Sequence, residues 1–197
     1  MMQTTDVDVA AAAIADGELV VYPTETVYGL GADALDAAAV ERVFEAKGRD
    51  RDKPVSMAVE SVAAATTYTE PTDRERAFMD AFLPGPVTVL IQRADALPDV
   101  LTAGRERVGV RVPDHDLALA LLDAADTPVT ATSANVSGKP SARRLEDVHS
   151  PVCDAAAVAL DDGETAGGGS TVVDPSTGEI HRRGPLAGDI DAWLAEH

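Results

Sequence analysis

The chain has 197 residues, with 34 Asp and Glu against 16 Lys and Arg, a formal net charge of −18, and 45% apolar residues. That apolar fraction excludes a disordered acidic chain, so the acid coats a folded surface. At ~1 M salt the Debye length is about 3 Å and its self-repulsion is screened, which points to a salty cytoplasm.

A chain of this length suits one domain, residues 1–197, with a self-sufficient core. The single cysteine, Cys153, excludes a disulfide framework. No run approaches the ~20 apolar residues of a membrane span, so a cytoplasmic protein without membrane contact is predicted. His115, His149, His181 and His197 show no ligand spacing, so no dedicated metal site is predicted.

In chain order, Asp6 caps an alanine-rich helix that runs through Ala15 and stops at Gly17. Residues 19–22 read as a buried strand that runs into Pro23-Thr24-Glu25-Thr26, polar groups at a strand end, where ligand contacts collect in α/β proteins. Tyr28-Gly29-Leu30-Gly31 suggests a tight backbone path beside something bulky. Asp36 caps a second helix with Val40, Val43 and Phe44 at helical spacing, ending at Lys47-Gly48. Strands follow at 55–59, 87–91 and 108–113, with helices at 72–82 and 117–125. Arg111 sits in an apolar strand and needs an anion from the protein or a ligand. Residues 155–160 read as a strand or a short helix, and the Asp161-Asp162-Gly163 turn that follows favours the strand. Gly167-Gly168-Gly169 reads as a flexible linker or a nest of backbone amides, and its place just before a hairpin of residues 171–173 and 179–182 favours the nest. A helix at 188–196 closes the pattern.

The segment 130–141, from Thr130 to Ser141, packs hydroxyls, Asn135, Gly138 and Lys139 into one turn-rich loop that no core could use. All three lysines, Lys47, Lys53 and Lys139, lie in such loops. Twelve of the sixteen cations fall within four short segments, 47–53, 105–111, 139–144 and 182–183. The expectation is that these segments converge on one anionic ligand.

Six stretches in order carry a family resemblance. They are Tyr22 to Gly31, Lys47-Gly48-Arg49 with Lys53-Pro54, Pro84 to Thr88, Val110 to His115, Ser133-Ala134-Asn135-Val136-Ser137-Gly138, and Ser170 to Asp174. Together they resemble the YrdC family of threonylcarbamoyl-AMP synthases. The resemblance implies a twisted mixed α/β sheet flanked by helices around a basic cavity. It also implies the reaction of L-threonine, bicarbonate or CO2, and ATP to give threonylcarbamoyl-AMP and pyrophosphate, for modification of tRNA.

The family's Lys, Arg, Ser, Asn tetrad corresponds to Lys47, Arg49, Ser133 and Asn135, the expected catalytic set. With Lys53, Ser141 and Arg182 these residues would hold ATP. Thr24, Thr26, Thr88, Arg111 and Ser170 would hold threonine, Arg111 gripping its carboxylate. Mg2+ would arrive with the nucleotide, and tRNA or a tRNA-modifying complex would be the partner. Longer family members carry a second C-terminal domain, which the pattern of this chain does not include. Two other readings share the fold: a YciO-like paralogue, which lacks the Ser-Ala-Asn-x-Ser-Gly loop, and a double-stranded RNA-binding protein, whose ligand a surface of −18 would repel at low salt.

Overall fold

A computed structural model describes residues 1–197. The strands are β1 (Met2–Thr4), β2 (Leu19–Tyr22), β3 (Gly29–Gly31), β4 (Ser56–Ala58), β5 (Val87–Gln92), β6 (Arg107–Arg111), β7 (Val129–Ser133), β8 (Ala156–Leu160), β9 (Thr171–Asp174) and β10 (Glu179–Arg182). The helices are α1 (Val7–Ala15), α2 (Ala37–Lys47), α3 (Val62–Tyr68), α4 (Asp73–Phe82), α5 (Asp99–Thr102), α6 (Asp116–Ala125), α7 (Ser150–Ala155) and α8 (Ala187–Glu196). All ten strands form one mixed sheet in the order β1-β8-β2-β3-β7-β4-β6-β5-β9-β10. The expected fold class is therefore observed.

Local chemistry sets the helix ends. Asp6 and Asp36 accept the backbone N–H groups of Asp8 and Ala38 at 3.0 and 2.8 Å, and Gly48 closes α2 at φ 54°. Thr72 and Glu75 form a reciprocal capping box at the start of α4. The expected helix at residues 117–125 and strand at 55–59 shift by one residue at their ends. Strand β1 and helices α3, α5 and α7 were not anticipated.

Two helix layers cover the β8-β2-β3 half. α1 and α6 pack through Ile14 and Leu121 on Val20, Ala58, Val129 and Val158. α2 and α7 pack through Val43 and Val152 on Leu19, Val21 and Leu30. A third cluster joins Phe44, Phe78 and Ile190 to Met57, Val89, Val108 and Val110. Side chains alternate across a strand. The face that α1 and α6 cover at Val20, Ala58 and Val129 therefore continues into Ser56, Ala131 and Ser133, which line an open cavity.

The bulky neighbour expected beside the Tyr28–Gly31 path is the ring of Tyr22. A Cβ at Gly29 would lie 2.9 Å from Tyr22 Cζ, and one at Gly31 would lie 2.7 Å from Val129 Cγ1. The β2–β3 register places Tyr22 opposite Gly29.

Candidate active site

The floor of the cavity is a row of small side chains read across strand register. Gly29 pairs with Ser133, Ser56 with Ala131, Gly109 with Leu90, and Thr88 with Val172. Larger residues here would fill the space, so a wall rich in Gly, Ala, Ser and Thr leaves the cavity open. A Cβ on Gly109 would overlap Ser56 Oγ and lie 2.9 Å from Thr88 Cγ2. The cavity holds about 640 Å³, within the ~300–1,000 Å³ of small-molecule sites.

One corner is rich in hydroxyls. Thr24 Oγ1 donates to Val27 O at 2.7 Å and lies 2.9 Å from Thr26 Oγ1. Thr88 Oγ1 is 2.8 Å from Ser170 Oγ, and Arg182 donates to both Ser170 O and Ser170 Oγ at 2.8 Å. Arg111 borders the same corner and forms an ion pair through Nη2 with Glu25 Oε1. The anion that a buried arginine requires is thus supplied by the protein.

The other corner is cationic. Arg49 donates to Lys53 O at 3.0 Å and to Pro54 O at 2.9 Å, and neither partner carries negative charge. Burial, then the nearby Arg182, lower the proton affinity of Arg49; burial, then Arg111, lower that of Arg182. Guanidiniums held near one another with carbonyl and hydroxyl partners are a site for an anion.

Nine of the twelve expected site residues line this one cavity: Thr24, Thr26, Arg49, Thr88, Arg111, Ser133, Ser141, Ser170 and Arg182. Three do not. Lys47 is 1% exposed and lies behind the wall, its ammonium donating to Ser133 O and, at 2.8 Å, to Asn135 O. Burial, then Arg49, push its pKa down to about 7. Asn135 is also behind the wall and ties its own loop, Nδ2 donating to Val136 O and Lys139 O at 2.8 Å. Lys53 is exposed, and only its backbone carbonyl meets the site.

The four cationic segments converge only in part. Arg49, Arg105, Arg107, Arg111 and Arg182 border the cavity. Arg51 pairs instead with Glu41, Arg143 and Arg144 with Glu164, and Arg183 with Asp191, all on the surface. The 139–144 segment therefore brings Ser141 to the cavity and no cation. In the glycine run, the amide of Gly167 is taken by Thr26 O at 2.7 Å, while Gly168 and Gly169 border the cavity. One amide of the run is thus fastened to the Thr24–Thr26 turn.

Sequence reasoning missed Ser56 and Gly109, and placed Arg107 only within a cationic segment. Arg107, Gly109 and Arg111 share one face of β6 by period-two alternation, a signal present in the sequence. Arg107 also bridges Glu75 of α4 and Asp174 of β9, reaching Asp174 Oδ1 at 3.1 Å.

Fold and site together define a mixed α/β domain whose single curved sheet carries an arginine-bordered cavity on one face. The chain belongs to the Sua5/YciO/YrdC family, whose model, described as telomere recombination, matches residues 12–184. It is 41% identical over 168 residues to the threonylcarbamoyl-AMP synthase of Pyrococcus abyssi, a match that covers 84% of this chain and 49% of that protein. The chain thus spans about half the length of that relative. The threonylcarbamoyl-AMP synthase of Shigella boydii is 36% identical over 185 residues, covering 90% of this chain and 96% of that one. The crystal structure of Pyrococcus abyssi Sua5 complexed with L-threonine superposes with a TM-score of 0.91 at 36% identity, over 99% of this chain and 61% of that chain.

Proposed function

We propose that this chain is an L-threonylcarbamoyladenylate synthase, a nucleotidyltransferase that makes threonylcarbamoyl-AMP and pyrophosphate from L-threonine, bicarbonate or CO2, and ATP. The observation that carries this reading is the juxtaposition of a hydroxyl-rich corner at Arg111 with a cationic corner at Arg49 and Arg182 in one cavity. The relatives' names and the threonine complex of Pyrococcus abyssi Sua5 support the same assignment.

Arg111 takes the threonine carboxylate, and the Thr24, Thr26, Thr88 and Ser170 hydroxyls surround the rest of the amino acid. Arg49, Arg182, Ser133 and Ser141 receive the phosphates, with Lys47 and Asn135 fixing the Ser133 loop from behind. Threonine's ammonium loses a proton, and the free amine adds to CO2 to give a carbamate with loss of a second proton. A carbamate oxygen attacks the α-phosphorus in line; that O–P bond forms as the bond to pyrophosphate breaks. Both reactants are anions, and fixed guanidiniums offset their repulsion at no cost of reorganisation.

Of the cavity-lining carboxylates, Asp174 already accepts from Arg107, Ser176 and Thr177. The other lining carboxylate is Glu106; Mg2+ would arrive with the nucleotide, held by its phosphates and water, and would supply charge neutralisation. The product passes to tRNA or a tRNA-modifying complex in the cytoplasm.

Pyrophosphate release from ATP in multimolar KCl, with and without L-threonine and bicarbonate, tests the assignment. Release that requires both co-substrates and is lost in Lys47→Ala is expected. A folded, ATP-binding protein without threonine-dependent release would favour the YciO-like reading.

A further inference from the structure

Residues 161–170 join β8 to β9, which stand seven places apart in the sheet. Along a flat sheet at ~4.8 Å per strand that separation is roughly 34 Å, and ten residues reach about 33–36 Å only when fully extended. This segment is not extended: Gly163, Gly167 and Gly168 turn it at φ 76°, 87° and 87°. The sheet therefore curls to bring β8 and β9 within reach. The segment runs between them as a strap along the cavity, with Gly168, Gly169 and Ser170 in the lining.

The strap is fastened along its length. At its start Tyr28 Oη lies 2.8 Å from Asp161 Oδ1 and from Gly163 O. In its middle the buried Thr165 clasps Arg143. The N–H and the hydroxyl of Thr165 both donate to Arg143 O, at 2.9 and 3.2 Å, and Arg143 Nε donates back to Thr165 O at 3.2 Å. Arg143 Nη2 also pairs with Glu164 at 2.8 Å. The clasp is close-fitting, since a Cβ on Gly167 would lie 3.0 Å from Arg143 Nε. Two residues before Arg143 stands Ser141, on the phosphate side of the cavity. Beyond the clasp, Gly167 N donates to Thr26 O at 2.7 Å, and the strap ends at Ser170, which meets Thr88 on the threonine side. Neither Thr165 nor Arg143 lines the cavity, so whatever the clasp does, it does through these neighbours.

We propose that the clasp of Thr165 and Arg143 is a positioning device that couples the two corners of the cavity, so that threonine and the nucleotide each bind more tightly when the other is present. The proposal rests on the synthase reading and goes beyond it by giving a role to two residues outside the cavity. Glycines at positive φ leave the strap many conformations, so fixing it costs entropy. A nucleotide on Ser141 holds the clasp, and through the clasp it holds the strap. Threonine against Thr26 and Ser170 holds the other end. Whichever ligand arrives first orders the strap, and the second binds without that cost. By linkage the two enhancements are equal. Salt screens the exposed pair of Arg143 with Glu164 but leaves the hydrogen bonds between Thr165 and Arg143, so the coupling persists in multimolar KCl.

The test is calorimetric binding to the full chain in multimolar KCl. The ligands are L-threonine and an ATP analogue with a methylene bridge between its α- and β-phosphates, each alone and with the other saturating. In wild type each ligand should raise the affinity for the other about tenfold. Thr165→Val loses the hydroxyl and keeps the backbone bond, and Arg143→Ala removes the returning bond. With both changes the enhancement should fall to about twofold, while each ligand alone binds within about threefold of wild type, because no lining group is touched. Arg143→Lys, which restores a donor, should recover part of the enhancement. Arg143→Ala alters an exposed side chain and carries the test alone if the change at buried Thr165 does not fold. Hydrogen exchange gives a second readout: the analogue alone should slow the Gly167 and Gly168 amides in wild type and not in the double variant. Single-ligand affinities that fall with the enhancement intact would make the clasp merely structural and overturn the inference, as would wild type that binds both ligands without enhancement. Wild type that does not bind threonine overturns the synthase reading and the inference with it.

Discussion

The ammonium of Lys47, in the last turn of α2, donates to the carbonyls of Ser133 and Asn135, while the Lys47 carbonyl accepts from Ser137 N at 2.8 Å. One residue thus clamps the 133–137 loop from both its backbone and its side chain. Its charge is buried among carbonyls, and its pKa falls from 10.5 to about 7.

That depression has a defined sign. Between about pH 7 and 10.5 the unfolded chain holds the Lys47 proton and the folded chain does not. Stability is therefore lost as pH falls across that window, and below about 7 the cost of the buried ammonium is present in full. Lys47→Met has no such proton. Denaturant unfolding of both proteins across this window should show wild type gaining stability relative to Lys47→Met as pH rises; parallel curves would show that Lys47 stays charged when folded. The variant should also lose about 100-fold in turnover, because the loop that presents Ser133 is no longer tethered.

Gly109 and Ser56 form the second coupled pair. A methyl on Gly109 overlaps Ser56 Oγ and presses on Thr88, so Gly109→Ala should cost about 1–3 kcal/mol as an overpacking change and raise the KM for threonine. Ser56→Gly removes the overlap. The double variant should be more stable than the sum of the single changes by about 1 kcal/mol, and a double-mutant cycle with no coupling would place the methyl elsewhere.

Much of this site is legible in the sequence because its residues are clustered along the chain. Thr24 and Thr26 share a turn, Ser133 and Ser141 share a loop, and acidic composition elsewhere throws the retained cations into relief. What was not legible depends on how distant elements rotate against each other. A lysine in the last turn of α2 looks the same whether it enters the cavity or supports the loop behind it. Glu25 finds Arg111 across 86 positions, and Ser56 meets Gly109 only when β4 pairs with β6. The missed elements β1, α3, α5 and α7 are three to seven residues long, too short to show a period. They exist because tertiary neighbours complete them: β1 pairs in parallel with β8, a partner more than 150 residues away.

Arg182 and Ser170 couple the two corners of the cavity. The guanidinium grips both the carbonyl and the hydroxyl of Ser170, which in turn meets Thr88. Arg182→Lys keeps the charge but not the planar fork. If Arg182 served the phosphates alone, only the KM for ATP would rise. The geometry predicts that the KM values for ATP and threonine both rise and that kcat/KM falls about 100-fold, because Ser170 loses its orientation. Ser170→Ala should reproduce the threonine effect with little change in the KM for ATP.

The buried network of Glu75, Arg107 and Asp174 should respond to salt differently from the surface. Glu75 caps α4 through Thr72 N at 2.8 Å and also pairs with Arg107; the side chains of Glu75 and Asp174 are 2% and 9% exposed, and that of Arg107 is 30%. Removing Glu75 leaves Arg107 against the cavity with Asp174 alone, and it deletes half of a capping box. Breaking a fully buried pair costs ~3–5 kcal/mol. Partial exposure of Arg107 reduces this, so about 2–3 kcal/mol is expected for Glu75→Ala in denaturant unfolding. Raising KCl should stabilise both proteins, because a net charge of −18 repels itself at low ionic strength. The difference between the two proteins should stay nearly constant, since the Glu75 and Asp174 carboxylates are shielded from mobile ions. By contrast, Glu164→Gln, which breaks only the exposed pairs with Arg143 and Arg144, should have no measurable effect at high salt. A gap between wild type and Glu75→Ala that closes as KCl rises would mean that solvent reaches the network and that Arg107 is held by screened attraction.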